Sequence, residues 1–249
     1  MKCVDFKWQA YKSRSMNKLL VAMPVINEKP NLEVMIPSLL VYLRNRGGLL
    51  IIDDNSNDGT LEFVQDMQKK HPNLYYIRNP KKVGLGNAYK MGMDFAVQNN
   101  YEWFQQMDAD RSHRIDDLAN FDGAESSSDM IVGSRYVEGG AVVNWPLFRR
   151  VLSKGGSLYS KMILWCPVND LTGGFNRTKV SVLKAINYKE IKTTGYAFQI
   201  ELKYRAHKKG FKIKEVPIVF SDRTQGKTKM SKAIILEAIW KVWWLKFTC

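Results

Sequence analysis

Short apolar runs alternate with longer amphipathic segments through the first half of the chain. The runs have the length of buried strands: residues 18–24, 48–53, 74–78, 101–107 and 129–133. Helical segments lie between them: residue 31 onward, where Pro37 can introduce a kink, then 58–70 and 86–99. This alternation predicts an α/β fold with a mainly parallel, Rossmann-like sheet that helices cover on both faces.

The second half of the chain is less regular. Its pattern predicts four helices and one strand: helices at 149–164, 178–186, 197–208 and 232–247, and a strand at 212–220. No internal repeat or low-complexity linker divides the chain. We therefore expect one domain over residues 18–231, preceded by a basic extension (1–17) and followed by a Trp-rich C-terminal helix (232–249).

Acidic residues follow three of the predicted strands. Glu28 comes after the first strand, Asp53 and Asp54 end the second, and Asp108 and Asp110 follow the fourth. Ligands of parallel α/β sheets bind beyond the carboxyl ends of the strands. A single Asp-x-Asp is common in solvated turns, but acidic groups at three strand ends are more specific. They predict a site for a divalent cation and a nucleotide diphosphate, because hard cations prefer oxygen ligands.

The charge and the cysteines narrow the possible functions. The net charge of +14 suits nucleic acid, an anionic membrane surface or a phosphorylated substrate. A basic module that only binds nucleic acid or anionic lipid stays an alternative, but it does not explain three acidic strand ends. Cys3, Cys166 and Cys249 are too few and too far apart for a disulfide framework, which fits a reducing compartment.

No segment has the length of a membrane span. The longest charge-free runs hold 10 residues, whereas a span needs about 20. The basic N-terminus lacks the apolar core of a secretory signal. The tail tryptophans, Trp240, Trp243 and Trp244, suit a core, a partner interface or, with the nearby lysines, a membrane interface. We expect a cytoplasmic protein, peripheral on the cytoplasmic face of a membrane.

Ten short motifs occur in an order that is familiar. They are PVINE at 24–28, DDNSNDGT at 53–60, GLGNA at 84–88, MDAD at 107–110, GSRY at 133–136, NWP at 144–146, DLTGGF at 170–175, GYAFQ at 195–199, VP at 216–217 and GKTKMS at 226–231. Over residues 18–231 the chain resembles the inverting glycosyltransferases of family 2, which have the GT-A fold. Within that family it resembles the dolichyl- and polyprenyl-phosphate mannosyltransferases.

The resemblance implies roles for particular residues. The implied donor-binding residues are Pro24, Ile26, Glu28, Ile52, Asp54, Asp108, Ala109, Asp110, Arg135, Arg223 and Lys229. The implied ligands of Mg²⁺ or Mn²⁺ are Asp108, Asp110 and Ser112. The implied catalytic residues are Asp110, Arg135, Arg149 and Arg150, of which Arg149 or Arg150 receives the lipid phosphate. The resemblance implies that Arg223 and Lys229 belong to a loop that closes over the diphosphate.

The reaction implied by the resemblance is mannose transfer from GDP-mannose to a polyprenyl monophosphate, with inversion to a β-linked product. A close alternative transfers glucose from UDP-glucose to the same lipid. The acceptor phosphate has a second pKa of about 6 and is mostly dianionic at neutral pH, so it needs little help from a base. Glu201, where relatives place an acidic base, is therefore expected to have a structural role. A separate membrane-anchoring subunit is a possible partner, and nucleic acid is not expected.

Three positions depart from the family pattern. Ile26 stands where an aromatic residue is usual, Arg111 where an apolar residue is usual, and Asn176 where a basic residue often stands. His113 is a candidate metal ligand or a residue that supports one. The glycines at 84 and 86 lack the spacing of a dinucleotide-binding fingerprint, and they predict a turn that enters a helix.

Overall fold

The computed structural model describes residues 18–221 and 232–248. Arg223, Lys229 and the predicted N-terminal extension lie outside the described residues. Within these described residues, nine strands form a seven-stranded sheet and a two-stranded sheet. The strands are β1 (Leu19–Val25), β2 (Gly47–Asp53), β3 (Leu74–Arg78), β4 (Trp103–Gln106), β5 (Met130–Ser134), β6 (Ala141–Val143), β7 (Asn176–Lys179), β8 (Ile213–Pro217) and β9 (Val219–Ser221).

The large sheet has the order β3-β2-β1-β4-β7-β5-β8. All of its neighbouring pairs are parallel except the two that β7 makes with β4 and with β5. β6 and β9 pair in parallel to form the small sheet. The prediction of a mainly parallel sheet is therefore confirmed, with one reversed strand near its middle.

The described part of the chain also contains eight α-helices. They are α1 (Lys29–Tyr42), α2 (Thr60–Gln68), α3 (Leu85–Gln98), α4 (Leu118–Asp122), α5 (Leu147–Leu164), α6 (Val180–Ala185), α7 (Gly195–Lys208) and α8 (Lys232–Thr248). All of the predicted helices are present, with ends that differ by a few residues, and α1 includes Pro37.

The core has two layers, one on each face of the sheet. Side chains alternate along a strand, so Leu20 and Ala22 of β1 join one layer while Leu19 and Val21 join the other. Helix α3 lies close to the first layer at Gly92. A Cβ at that position would lie 3.1 Å from side-chain atoms of Ala22, Ile52 and Phe104, so glycine permits this close approach.

The predicted helix over residues 178–186 is partly wrong. Residues 176–179 form strand β7, and the helix starts only at Val180. β7 has a polar sequence, yet its Arg177 is fully buried because Asp122 and Glu125 each accept a 2.6 Å hydrogen bond from its guanidinium. Buried polar residues that pair with one another leave no apolar pattern to identify a strand.

Two further differences concern the edge of the fold. The predicted strand at 212–220 is two strands, β8 and β9, which belong to different sheets. The partner of β9, strand β6, has only three residues and was not predicted.

Helix α8 confirms the predicted C-terminal helix and packs on α5 and α7. Its Val242 and Leu245 are buried in the core, whereas Trp240, Trp243 and Phe247 are exposed. In the part of the chain that the structure describes, no helix is long and apolar enough to cross a membrane.

Candidate functional site

The chain changes direction across the sheet between β1 and β4. From β1 it adds β2 and then β3 on one side, and it then crosses to place β4 on the other side of β1. In open α/β sheets such a switch point forms a crevice at the carboxyl ends of the strands, where ligands bind. Glu28, Asp54 and Asp108 all lie at this edge and line one cavity, as the sequence predicted.

This first cavity has a volume of about 260 Å³. Its lining residues are Pro24, Val25, Ile26, Glu28, Asp54, Lys82, Gly84, Leu85, Asp108, Ala109 and Asp110. Seven of the predicted donor-binding residues are therefore brought together here. Ile52 is not among them, because its side chain is fully buried in the core beneath the cavity.

Asp54 fixes the loop that enters α3. Its Oδ1 accepts a hydrogen bond from Asn79 Nδ2 (2.8 Å), and its Oδ2 accepts bonds from the backbone N–H groups of Val83 (3.2 Å) and Gly84 (3.0 Å). Gly84 has φ +85° and begins the turn into the helix, as predicted. The same loop carries Lys82 into the cavity, a residue that the sequence reading missed although it stands between strand β3 and this turn.

The Asp-x-Asp carboxylates are held by neighbours. Asp108 Oδ1 accepts a hydrogen bond from the hydroxyl of Tyr89 (3.0 Å). Asp110 Oδ1 accepts bonds from Ser112 Oγ (2.5 Å) and from the Ser112 backbone N–H (3.1 Å). Burial, together with the charge of Asp108, raises the pKa of Tyr89 well above its usual value. Tyr89 therefore remains a donor and keeps Asp108 in one orientation.

Asp108 and Asp110 suit a hard divalent cation. Both line the first cavity, and both offer carboxylate oxygens, the ligands that Mg²⁺ and Mn²⁺ prefer. Among the described residues, no group of three or more His, Cys, Asp or Glu side chains could hold a metal ion. Two carboxylates completed by substrate phosphates would fit the way proteins usually bind Mg²⁺. Ser112 is fully buried, and its hydroxyl donates to Asp110.

His113 is buried and holds the backbone of the Asp-x-Asp loop. Its Nδ1 accepts a hydrogen bond from the backbone N–H of Asp108 (3.0 Å), and its ring stacks on Phe175 with centroids 4.4 Å apart. Burial lowers the pKa of His113, although Asp108 and Asp110 act to raise it. A neutral ring with Nδ1 already used as an acceptor favours a supporting role over direct ligation.

A second cavity, of about 390 Å³, adjoins the first and shares Lys82, Leu85 and Asp108 with it. Its other lining residues are His113, Arg135, Trp145, Arg149, Thr172, Gly173, Gly174, Phe175, Gly195, Gln199, Ile218 and Phe220. Most of these residues belong to the GSRY, NWP, DLTGGF and GYAFQ motifs. The sequence gives the order of these motifs, but it does not show which of their side chains face a cavity. Among the described residues that line this cavity, Asp108 is the one carboxylate.

Arg135 and Arg149 bring positive charge to the second cavity. Asp170 accepts two hydrogen bonds of 2.7 Å from Arg135, one from Nε and one from Nη2. Arg149 lies over the ring of Trp145, with its guanidinium carbon 3.9 Å from the ring centroid. Arg150 is exposed and does not line the cavity. The structure thus separates the two arginines that the sequence could not.

Glu201 lies away from the cavity wall and is fully buried. Its carboxylate accepts hydrogen bonds from Thr193 Oγ1 (2.7 Å) and from Arg205 Nε (2.8 Å). The first bond ties the middle of α7 to the segment before the helix, and the second lies within α7, which supports the predicted structural role.

The three departures from the family pattern lie in different surroundings. Ile26 forms part of the wall of the first cavity and is 38% exposed. Arg111 has φ +63°, is exposed and lines neither cavity. Asn176 is fully buried beneath the second cavity, where its amide contacts Gly173 and Gln199.

Known proteins resemble most of the chain. It is 36% identical to the polyprenol monophosphomannose synthase of Mycolicibacterium smegmatis over 231 residues, which cover 92% of this chain and 87% of that protein. It is 35% identical to the undecaprenyl-phosphate mannosyltransferase of Micrococcus luteus, over 89% of this chain and 91% of that protein. These relatives confirm the resemblance that the motifs indicated.

Solved structures share the fold at low identity. A mannosyltransferase from Pyrobaculum calidifontis in complex with GDP-Man and Mn²⁺ matches with TM-score 0.57 and 16% identity, over 90% of this chain and 62% of that one. Glucosyl-3-phosphoglycerate synthase from Mycobacterium tuberculosis, with Mn²⁺, UDP and phosphoglyceric acid, matches with TM-score 0.61 and 14% identity, over 90% and 75%. The predicted GT-A fold is confirmed.

A model of one protein family matches residues 20–186, which is more than half of the chain, and its description is glycosyl transferase family 2. The arrangement of the parallel sheet, the Asp-x-Asp at the switch point and the similarity to these relatives all agree with that match. The chain belongs to glycosyltransferase family 2.

Proposed function

We propose that this enzyme transfers mannose from GDP-mannose to the phosphate of a polyprenyl monophosphate, with inversion at the anomeric carbon. The observation that carries the proposal is the pair of adjoining cavities: one is lined by carboxylates, the other by arginines, and Asp108 is common to both. The names of the two relatives, a polyprenol monophosphomannose synthase and an undecaprenyl-phosphate mannosyltransferase, support this choice of acceptor and sugar.

The first cavity takes the nucleotide of the donor in this proposal. Pro24 and Ile26 offer apolar surface to the nucleoside, and Asp108 and Asp110 face the diphosphate. Mg²⁺ or Mn²⁺ would be held by these two carboxylates and, when bound, offsets the negative charge of the leaving diphosphate. Lys82 adds a positive charge where the two cavities meet.

The second cavity takes the mannose and the acceptor phosphate. Arg149 holds the phosphate, since a guanidinium can donate two parallel hydrogen bonds to it, whereas Nε and Nη2 of Arg135 already donate to Asp170. A dianionic phosphate is already a nucleophile, so positioning and charge compensation matter more than a base. This agrees with a cavity wall whose described residues include one carboxylate, Asp108. Attack from the side opposite the diphosphate converts an α-linked donor to a β-linked product.

Helix α5 supports a peripheral position on a membrane. Four of its exposed apolar residues, Leu147, Val151, Leu158 and Met162, fall within about 60° of one another at 100° per residue, and a fifth, Phe148, lies about 40° beyond them. Lys154, also exposed, falls on the same side of the helix. At the same spacing Arg149 falls about 140° or more from each of these four residues, so the second cavity and the apolar face lie on different sides of α5. Basic and apolar residues together suit an anionic lipid surface.

Transfer assays with two donors test the proposal. Labelled GDP-mannose and, separately, labelled UDP-glucose are incubated with a polyprenyl phosphate in Mg²⁺, in Mn²⁺ and in EDTA. We expect metal-dependent labelling of the lipid from GDP-mannose alone. Labelling from UDP-glucose alone would mean that UDP-glucose is the donor and that the proposed mechanism of transfer still applies. Equal binding of the lipid with and without EDTA, and no transfer from either donor, would indicate a binding module.

A further inference from the structure

Three buried amide side chains form a cluster under the second cavity. Gln199 of α7 lines the cavity and is 2% exposed. Asn176 of β7 and Gln106 of β4 lie behind it, and both are buried as well. Asn176 Nδ2 lies 3.0 Å from Gln199 Oε1 and 3.3 Å from Gln106 Oε1.

The backbone fixes which way these amides point. The carbonyl oxygen of Gly173 lies 3.1 Å from the side-chain amide of Asn176. A carbonyl can only accept, so the Asn176 atom that faces it must be the nitrogen. The Gln199 atom that faces this nitrogen must then be the oxygen, which places Gln199 Nε2 on the other side of its amide.

Gln199 Nε2 has no hydrogen-bond partner among the residues whose side chains the structure describes, although it is buried. A buried N–H group without a partner is unfavourable, and native proteins contain few of them. The neighbouring wall is bare at this point, since a Cβ added to Gly174 would lie 3.6 Å from Gln199 Nε2. Gly174 therefore places no side chain between the second cavity and the amide.

We propose that Gln199 is a sugar-binding residue that donates a hydrogen bond from Nε2 to one hydroxyl of the transferred hexose, and that Asn176 positions it. This inference rests on the proposed function and adds a contact to it. A neutral amide suits a neutral hydroxyl, whereas the arginines of the same cavity suit the anionic phosphate.

This contact explains why an asparagine can stand at position 176, where a basic residue is more usual. A short amide can donate to both Gly173 and Gln199, which places a neutral group where a basic residue often stands. A basic side chain reaches the same carbonyl from another element: Lys203 Nζ donates to Gly173 O (2.6 Å) and to Leu171 O (3.0 Å). Asn176 is thus free to orient Gln199 while Lys203 holds the loop.

The test compares Gln199→Met with the matched variant Gln106→Met. Each variant removes one oxygen that accepts from Asn176, but only Gln199 lines the cavity. The donors are GDP-mannose and its 2-, 3-, 4- and 6-deoxy analogues. With GDP-mannose we expect Gln199→Met to lower kcat/KM by about 10-fold. With one of the deoxy analogues, the wild-type enzyme and Gln199→Met should have equal kcat/KM. The analogue that lacks the bonded hydroxyl has already lost the contact that the variant removes.

A binding measurement separates a contact from a folding defect. GDP should bind equally to the wild-type protein and to Gln199→Met, whereas GDP-mannose should bind more weakly to the variant. Gly174→Ala provides a second variant, because its methyl group fits at 3.6 Å but stands against Nε2. We expect it to reproduce the same hydroxyl-specific loss.

The outcomes distinguish this inference from the proposed function. Transfer by the wild-type enzyme, together with an equal loss for all donors in Gln199→Met or a matching loss in Gln106→Met, overturns the sugar contact and leaves the function intact. An absence of transfer by the wild-type enzyme overturns the proposed function, and the sugar contact then fails with it.

Discussion

Arg135 lies in the wall of the second cavity because Asp170 holds it there through two hydrogen bonds of 2.7 Å. Asp170 is fully buried, and its Oδ1 also accepts from the backbone N–H of Gly173 (3.0 Å). Burial alone would raise the pKa of Asp170, but the adjacent Arg135 holds it below its usual value. One carboxylate therefore orients both an arginine and a loop of the candidate active site.

Asp170→Asn tests this relationship. The change leaves the buried guanidinium without its counter-ion, and breaking a buried pair in this way costs about 3–5 kcal/mol. We expect a clear fall in the free energy of unfolding and in transfer activity. Asp66→Asn is the control, since its lysine neighbours and its own side chain are exposed, and such surface pairs contribute about 0–1 kcal/mol. Equal denaturation midpoints for the two variants would contradict the account.

Arg149 and Arg150 form a natural pair of test and control. Arg149 lines the second cavity, whereas its neighbour is exposed and does not. Loss of a charged hydrogen bond to phosphate costs about 1.5–3 kcal/mol, so Arg149→Ala should raise the KM for the lipid phosphate by about 10- to 100-fold. Arg150→Ala should change it by less than about twofold. If Arg150→Ala raises the KM for the lipid phosphate more than Arg149→Ala does, the acceptor binds on the exposed side of α5 instead of in the second cavity.

Lys203 predicts a pH dependence of stability. Burial lowers its pKa from 10.5 to about 7, although Asp170 acts to raise it. Two carbonyls accept from Nζ, which matches the two protons of a neutral amine. Between about pH 7 and pH 10 the unfolded chain keeps the proton that the folded chain has lost. The free energy of unfolding should therefore rise with pH in that window, by up to about 1.4 kcal/mol per pH unit.

Denaturant unfolding of the wild type and of Lys203→Met, measured between about pH 7 and pH 10, checks the sign of this pH dependence. The stability of the wild type relative to the variant should increase with pH. Lys208→Met, an exposed lysine on the same helix, should keep the slope of the wild type. A difference that stays constant with pH would mean that Lys203 is charged in the folded protein throughout.

The apolar face of α5 predicts membrane binding. Val151→Asp combined with Leu158→Asp places two charges on that face. We expect binding to anionic lipid vesicles to weaken by at least about tenfold, because burial of each apolar side chain contributes about 1.5–3 kcal/mol. Val41→Asp is the control, since Val41 is 75% exposed on α1. If the control weakens vesicle binding as much as the double variant does, α5 is not the docking surface.

Much of the first cavity could be predicted from the sequence. Buried parallel strands are apolar runs that end abruptly, so the residues that follow β1, β2 and β4 were identifiable as neighbours at one edge. Asp54, Asp108 and Asp110 were found in this way, and they do lie together. A strand made of polar residues could not be found, because β7 pairs its polar side chains inside the protein.

The second cavity could be predicted only in part. Its wall is assembled from distant segments, and Gly174 meets Gln199 only once β7 and α7 are in place. The family resemblance indicated that the 170–175 and 195–199 motifs matter, but local patterns do not show which of their atoms face a ligand. The choice between Arg149 and Arg150 likewise depends on how helix α5 is rotated.

Transfer of mannose to a lipid phosphate should depend on the carboxylate of Asp110 and on a divalent cation. Labelled GDP-mannose and a polyprenyl phosphate are incubated with Mn²⁺ and either the wild-type enzyme or Asp110→Asn, with folding of the variant confirmed by its thermal transition. We expect labelled lipid from the wild type and a rate at least about 1000-fold lower from the variant, since the carboxylate acts on the charge of the leaving group. Near-normal transfer by a folded Asp110→Asn would contradict the account.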